Sequence, residues 1–566
     1  MVGNPDVVQK RASSPPSRLP ERVGYLIVVP GIFNFRSLWI FFDFLPYHWR
    51  SMATTAPNPT TSQIDDAPLP DLAVGALVAL CAAKLLLHLF TSVQHYGYFR
   101  DELYYLDMAR HLDWGYVDAA PLIAVYARIA LLMGGSLAAL RILPAMAGTG
   151  LVALSILTVR ELGGARYAQF LTGLAVLLAP GMLAVDTLMT MNAFEPLFWM
   201  GCLLVVIRIL RTGNSRLWLW FGVLAGLGLE NKHSTLFFGF AVAVAVLLVR
   251  PREFLKPWIW IAVAIAVALF MPNLIWQIKR HFPTLEDLEN VRREGKNVVL
   301  PPLAFIKQQI LVMHPVLFPV WLLGAFWLLR ERRWRLLGVV FVVFFVTMEI
   351  LHAKDYYLFP IYPLVFAAGA VAIERWTGKR FWLKAAVAAV VVLGTLPTVP
   401  LATWMLSPDQ YLSYQAALGF KPPKAEVHMQ SLWPQPAADQ FGWPQLVGEV
   451  AEVYTSIPPD QRAKTGIWAG NYGEAGAINL WGPRYGLPTA YSRHQNYWYW
   501  GPPPIKYENL ILIEWGLDDV RDNCTSYQAF PHYEKWGMGE ENTPIYLCLG
   551  VKFDIQKIWW QSHHWN

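Results

Sequence analysis

HYGYFRDELYYLDMARHLDWGYVDAAPL, residues 95–122, follows the first long apolar run of the chain and places Asp101 and Glu102 side by side where that run ends. Ionisable groups at the end of a membrane span are costly unless water, a countercharge or a substrate meets them. Whether the preceding run crosses a membrane therefore decides both the fold and the meaning of the acidic pair.

The composition answers the first question. Of 566 residues, 55% are hydrophobic and 15% charged, against about 25% charged in soluble domains; the mean hydropathy is +0.33. Apolar segments lie near 71–93, 137–159, 167–185, 191–210, 217–230, 234–249, 257–277, 304–329, 336–352, 357–374 and 381–404. Most approach the roughly 20 residues needed to cross about 30 Å of hydrocarbon. The sequence thus predicts an α-helical polytopic membrane protein with about eleven spans over residues 71–404. The net charge of +6 is no nucleic-acid signal, because it resides in short clusters between spans: Arg160 to Arg166, Arg208 to Arg216, Arg250 to Lys256, Arg330 to Arg335 and Arg375 to Arg380. Such loops face the cytoplasm. With an odd number of spans and a cytoplasmic N-terminus, residues 405–566 fall outside.

Both ends read differently. Residues 1–70 form an N-terminal tail in which an interrupted apolar stretch (Pro30, Arg36, Asp43) precedes Met52, taken as the start of translation; an interfacial or signal-like segment is the alternative. Past Trp404 the composition becomes that of a small α/β domain, with GIWAGNYGEAGAINLWGPRYGL read as strand, turn and helix start, and NLILIEWGL and PIYLCLGVKF as strands. Cys524 and Cys548 share this segment and suit a disulfide if it lies outside the cytoplasm. Cys81 and Cys202 sit in apolar runs and read as packing residues.

The loops opposite the basic clusters gather the unusual residues: Arg100, Asp101 and Glu102, then Asp186, then Glu230, Lys232 and His233, then Lys279, Arg280, Arg292 and Arg293, and finally Lys354, Asp355, Tyr356 and Tyr357. A shared cavity on that face explains them together. No nucleotide sugar is supplied there, so a sugar donor would ride on a polyprenyl phosphate. Transfer to a hydroxyl needs a general base, for which a carboxylate serves, and positive charge for the leaving phosphate. Tyr104 and Tyr105 offer aromatic faces for a sugar. The plainer readings are helix caps for Asp101, Glu102 and Asp186, snorkelling for Lys232 and Lys354, and an interfacial belt for the tyrosines. His111, Asp113 and Asp118 match no metal spacing, so no metal ligand is assigned and a divalent cofactor is not favoured.

The segments YFRDELYYLDMARHLDWGYVDAAPLIA, LENKHSTLFFGFA, MPNLIWQIKRHFPTLEDLENVRREGKN and HAKDYYLFPIYPLVFAAGA resemble bacterial GT-C glycosyltransferases, in the branch of the protein O-mannosyltransferases, the aminoarabinose transferase of lipid A and the Rgt-type lipopolysaccharide transferases. AGNYGEAGAINLWGPRYGLP with SRHQNYWYWGP resembles the C-terminal domain of one bacterial subgroup. The resemblance implies a GT-C fold in a bacterial inner membrane and an inverting transfer from a polyprenyl-phosphate sugar to a glycan, lipid or protein acceptor. It further implies that Asp101 acts as base or orients the acceptor, that Glu102 and Asp186 support the site, and that Lys232 and Lys354 lie near the lipid phosphate; Arg100, Tyr104, Tyr105, His233, Tyr356 and Tyr357 are the further candidates for binding substrate, on their charge and aromatic character. One departure is NKHS where several relatives carry Lys-Gly. The competing reading is a transporter or lipid flippase, against which stands the collection of charges at span ends rather than at mid-membrane; a catalytically silent, glycan-binding relative is a third.

Overall fold

The computed structural model describes residues 68–91, 94–422, 432–533, 535–536, 543–561 and 563–565. The N-terminal tail up to residue 67, with the start expected at Met52, lies outside them.

Each apolar run becomes a helix. In chain order these are α1 (Val74–Thr91), α2 (Arg100–Arg110), α3 (Leu122–Leu132), α4 (Leu137–Glu161), α5 (Arg166–Leu178), α6 (Pro180–Thr187), α7 (Met191–Thr212), α8 (Trp218–Asn231), α9 (Thr235–Val249), α10 (Pro257–Lys279), α11 (Pro283–Arg293), α12 (Pro302–Met313), α13 (Phe318–Arg330), α14 (Arg335–Ile350), α15 (Tyr362–Thr377) and α16 (Phe381–Thr395). Among the described residues, six helical segments are long and apolar enough to cross a membrane, and eight if two bent pairs each count as one span. The protein is therefore a multi-pass membrane protein.

Two expected spans are not straight. Residues 167–185 break into α5 and α6 at Pro180, with a bend of 58°. Proline drives the residue before it out of the helical region, and Ala179 is accordingly extended (ψ 119°). Residues 304–329 bend by 113° between α12 and α13, where His314 takes φ 79° ahead of Pro315. Periodicity alone does not reveal either break.

The C-terminal part carries one five-stranded sheet in the order β2-β1-β3-β5-β4, with β1 at Thr465–Trp468, β2 at Ala490–Tyr491, β3 at Asn509–Leu512, β4 at Cys524–Phe530 and β5 at Ile545–Val551. The first three run parallel, and β5 is antiparallel to both β3 and β4. Three of these strands are those expected; β2, only two residues long, and β4 (CTSYQAF), whose exposed polar residues show no apolar alternation, were not foreseen. A disulfide joins Cys524 to Cys548 across β4 and β5.

This part does not keep a core to itself. Leu103, Leu106 and Met108 of α2 share one hydrophobic cluster with Val447 and Val450 of the helix Trp443–Ser456, and with Ile478, Ile511 and Ile513. The first loop and the C-terminal sheet are thus packed as one body.

Candidate active site

Glu102 and Asp101 are neighbours with opposite surroundings. Glu102 is fully buried and Asp101 half-buried, whereas Leu103 to Ala109 are buried without exception. The Glu102 carboxylate accepts from Arg141 Nε at 3.0 Å and Nη2 at 2.9 Å, from the Met189 backbone N–H at 2.9 Å, and from the Phe99 N–H at 2.9 Å. The last of these satisfies an orphan donor at the start of α2. Arg141 also donates to the Gly97 carbonyl and to Gln440 Oε1. Glu102 is therefore a structural clamp that joins α2, α4 and the α6–α7 connection. Asp101, one residue earlier, points elsewhere: Tyr472 donates to its Oδ1 at 2.9 Å and Tyr105 reaches its Oδ2 at 3.5 Å.

Tyr104 donates to Asp118 Oδ1 at 3.3 Å, accepts the Asn496 N–H at 3.1 Å, and stacks on Tyr472 with ring centroids 4.8 Å apart. Asp118 lies within electrostatic reach of Asp101 and of Asp287 on α11; burial and these two like charges push its carboxyl up to about 8. Asp287 is itself pushed upward by burial, while Gln495 donates to it at 3.0 Å. Arg100 lies within electrostatic reach of both Asp101 and Tyr472; its guanidinium meets Asp439 at 3.6 Å and its backbone N–H donates to the Asp439 carbonyl.

The span-end residues distant in sequence reach the same neighbourhood. Lys232, at the end of α8, contacts Asn192 Oδ1 at 2.7 Å and Glu195 Oε2 at 3.2 Å, with its ammonium 4.2 Å from the Tyr357 ring centroid and 5.2 Å from that of Tyr356. Ser234 donates to the other Glu195 oxygen. Tyr356 in turn lies within electrostatic reach of Asp101 and Glu195. Lys354 precedes the 3₁₀ helix Asp355–Ile361 that presents both tyrosines and is half-buried. His233 faces Asn273 of α10 at 3.1 Å, and Asn273 donates to the Trp114 carbonyl, so it braces the first loop against α10.

Asp186 does not join this group. It forms a fully buried ion pair with Lys84 of α1 at 2.7 Å, in space left open by Gly148 of α4: a Cβ there would stand 2.4 Å from Asp186 Oδ2. Three buried acids thus have three basic partners, Lys84 for Asp186, Arg141 for Glu102 and Lys232 for Glu195. Lys84, Arg141 and Glu195 were missed in the sequence. The available signal was a single charge inside an apolar run, which is rare unless paired. Tyr472 was passed over as part of a strand–helix connection. His111, Asp113 and Asp118 diverge: His111 stacks on Trp500, Asp113 accepts from Trp276 and Arg280, and Asp118 meets Tyr104. Among the described residues no group of three or more His, Cys, Asp or Glu is placed to hold a metal.

Residues 118–276 match the family model described as dolichyl-phosphate-mannose-protein mannosyltransferase. No curated protein sequence matches significantly. The fold is similar to that of ArnT from Cupriavidus metallidurans in two crystal structures. For the one bound to undecaprenyl phosphate the TM-score is 0.52 at 14% identity, covering 84% of this chain and 97% of that one. For the apo state the TM-score is 0.52 at 15% identity, covering 84% and 98%.

Proposed function

From a membrane protein of the GT-C glycosyltransferase type, with a mannosyltransferase-like segment and an ArnT-like fold, we propose an inverting transfer of a sugar from a polyprenyl phosphate to a hydroxyl of a cell-envelope lipid, glycan or protein, on the outer face of the inner membrane. Asp101 accepts the proton of the attacking hydroxyl. The oxygen bonds to the anomeric carbon from the face opposite the phosphate, the bond to the phosphate oxygen breaks, and polyprenyl phosphate departs with that electron pair. Tyr356 and Tyr357 line the approach. Lys232, paired with Glu195, lies over the rings of Tyr356 and Tyr357. Lys232 and Lys354 are the cations assigned to the departing phosphate.

The observation that carries this reading is the half-accessible Asp101 beside a buried, salt-bridged Glu102, in the neighbourhood where Tyr356 and Lys232 converge. Undecaprenyl phosphate bound to ArnT supports a lipid-phosphate donor. The disulfide between Cys524 and Cys548 supports an oxidising compartment for the C-terminal part. A transporter or flippase reading has no comparable support, since the family and fold matches are to transferases.

Wild type and Asp101→Asn, purified in nanodiscs, are compared on radiolabelled polyprenyl-phosphate sugars with extracted envelope acceptors. General bases contribute about 10²–10⁴-fold, so transfer should fall at least about a hundredfold while donor binding persists. Equal turnover in the two proteins would remove Asp101 from the chemistry.

A further inference from the structure

Two hydroxyls reach Asp101 from different parts of the chain. Tyr105 comes from the next turn of α2, at 3.5 Å; Tyr472 comes from 371 residues away and makes the shorter bond, 2.9 Å to Oδ1. Several independent features fix Tyr472 in place. It opens the helix Tyr472–Trp481, whose N-terminus Asn471 caps by accepting from the Gly473 and Glu474 N–H groups at 2.8 and 3.1 Å. Glu474 closes the box by accepting from the Gly470 and Asn471 N–H groups. The Tyr472 ring stacks on Tyr104 at 4.8 Å and meets His494 in a tilted contact at 4.9 Å. The helix can come this close to α2 because Gly476 faces it: a Cβ at that position would stand 2.9 Å from the backbone carbon and oxygen of Leu103.

Resting on the transferase reading above, we propose that Tyr472 is a positioning residue of the active site, its hydroxyl holding the Asp101 carboxylate in the orientation and charge state needed to accept the acceptor's proton. The C-terminal domain then completes the site instead of merely sitting on it. A hydroxyl donating to a carboxylate favours the charged form, and one fixed oxygen stops the carboxylate from rotating about its last bond; Arg100, Asp118 and Tyr356 also lie within electrostatic reach of Asp101 and stay in place when the Tyr472 hydroxyl is removed.

Tyr472→Phe removes the hydroxyl and keeps the ring between Tyr104 and His494. The pH dependence of transfer is measured for wild type and Tyr472→Phe, alongside infrared titration of the carboxylate band that Asp101→Asn abolishes. The expected result is a kcat loss of about tenfold, a donor KM within about twofold, and an upward shift of roughly half to one pH unit in both the acid limb of kcat and the infrared midpoint. A loss of stability that scales kcat equally at every pH, with the infrared midpoint unmoved, overturns the proposal. A shifted infrared midpoint together with an Asp101→Asn protein that transfers normally overturns it differently: the hydrogen bond would stand, and the transferase role of Asp101 would fall.

Discussion

Gly148→Ala sets two effects of opposite sign against each other inside α4. In a helix interior, alanine is favoured over glycine by about 1 kcal/mol, so the substitution should stabilise if nothing else intervened. At this position, however, the new Cβ would lie 2.4 Å from Asp186 Oδ2, 2.5 Å from its Cγ and 2.9 Å from Lys84 Cε. None of these atoms is the loose end of a surface side chain, because the two residues hold each other at 2.7 Å and are buried. Overpacking costs about 1–3 kcal/mol, and breaking a buried pair about 3–5 kcal/mol. The clash therefore wins, with a net loss of about 2–4 kcal/mol. Gly150, two residues on in the same helix, is the internal control: its nearest neighbour to a new Cβ is Leu197 Cδ2 at 3.4 Å, so Gly150→Ala should be neutral or gain up to about 1 kcal/mol. Heating the two variants in the same detergent and following the folded fraction by size-exclusion fluorescence ranks them directly. If Gly148→Ala proves as stable as Gly150→Ala, the ion pair is not seated as described and the steric argument fails.

Arg141→Met should cost about 3–5 kcal/mol by stranding the buried Glu102 carboxylate; a double-mutant cycle with Glu102→Gln checks this, and additive losses would mean the two do not interact. Asp118 gives a pH dependence whose sign can be worked out. Its folded pKa of about 8 lies above the ordinary 3.8, so the folded state binds the extra proton between those values. Its contribution is full below about pH 4 and drains away as pH rises to about 8. Asp118→Asn should therefore leave the melting temperature unchanged at pH 4 and raise it above pH 8, by at most about 6 kcal/mol in stability; a melting difference that is the same at both pH values contradicts this. Replacing Cys524 and Cys548 by Ser opens a link spanning 24 residues, with an expected loss of about 3 kcal/mol, and reductant should destabilise wild type but not the double variant.

How far the sequence could be read depended on the kind of information each feature needs. Apolar run length located α1, α4, α7 and α10 because crossing hydrocarbon constrains composition locally. It could not show that residues 304–329 fold back by 113°, since a proline and one unusual backbone angle leave the hydropathy unchanged. The first-loop pair was visible as a pair, but its division of labour was not. Glu102 is committed to Arg141, 39 residues away, and nothing around either residue advertises the other. Asp186 lies inside the short helix α6 and does not cap the next one, and the direction of its side chain toward Lys84 depends on a helix packing that periodicity does not encode. Tyr472 was least legible of all: the glycine-containing run NYGEAG reads equally well as a connection, and its meaning arises only once Gly476 is seen against the backbone of α2.

The bond from Tyr472 to Asp101 joins residues 371 positions apart, and that separation is also a delay. At roughly 5–20 residues synthesised per second, the acid emerges about 20–75 s before the tyrosine that holds it. Throughout that interval the growing chain carries Asp101 without the Tyr472 hydroxyl. On this reading the last quarter of the polypeptide acts as a completion signal: a chain that stalls or is cut before Tyr472 lacks the hydroxyl that positions Asp101.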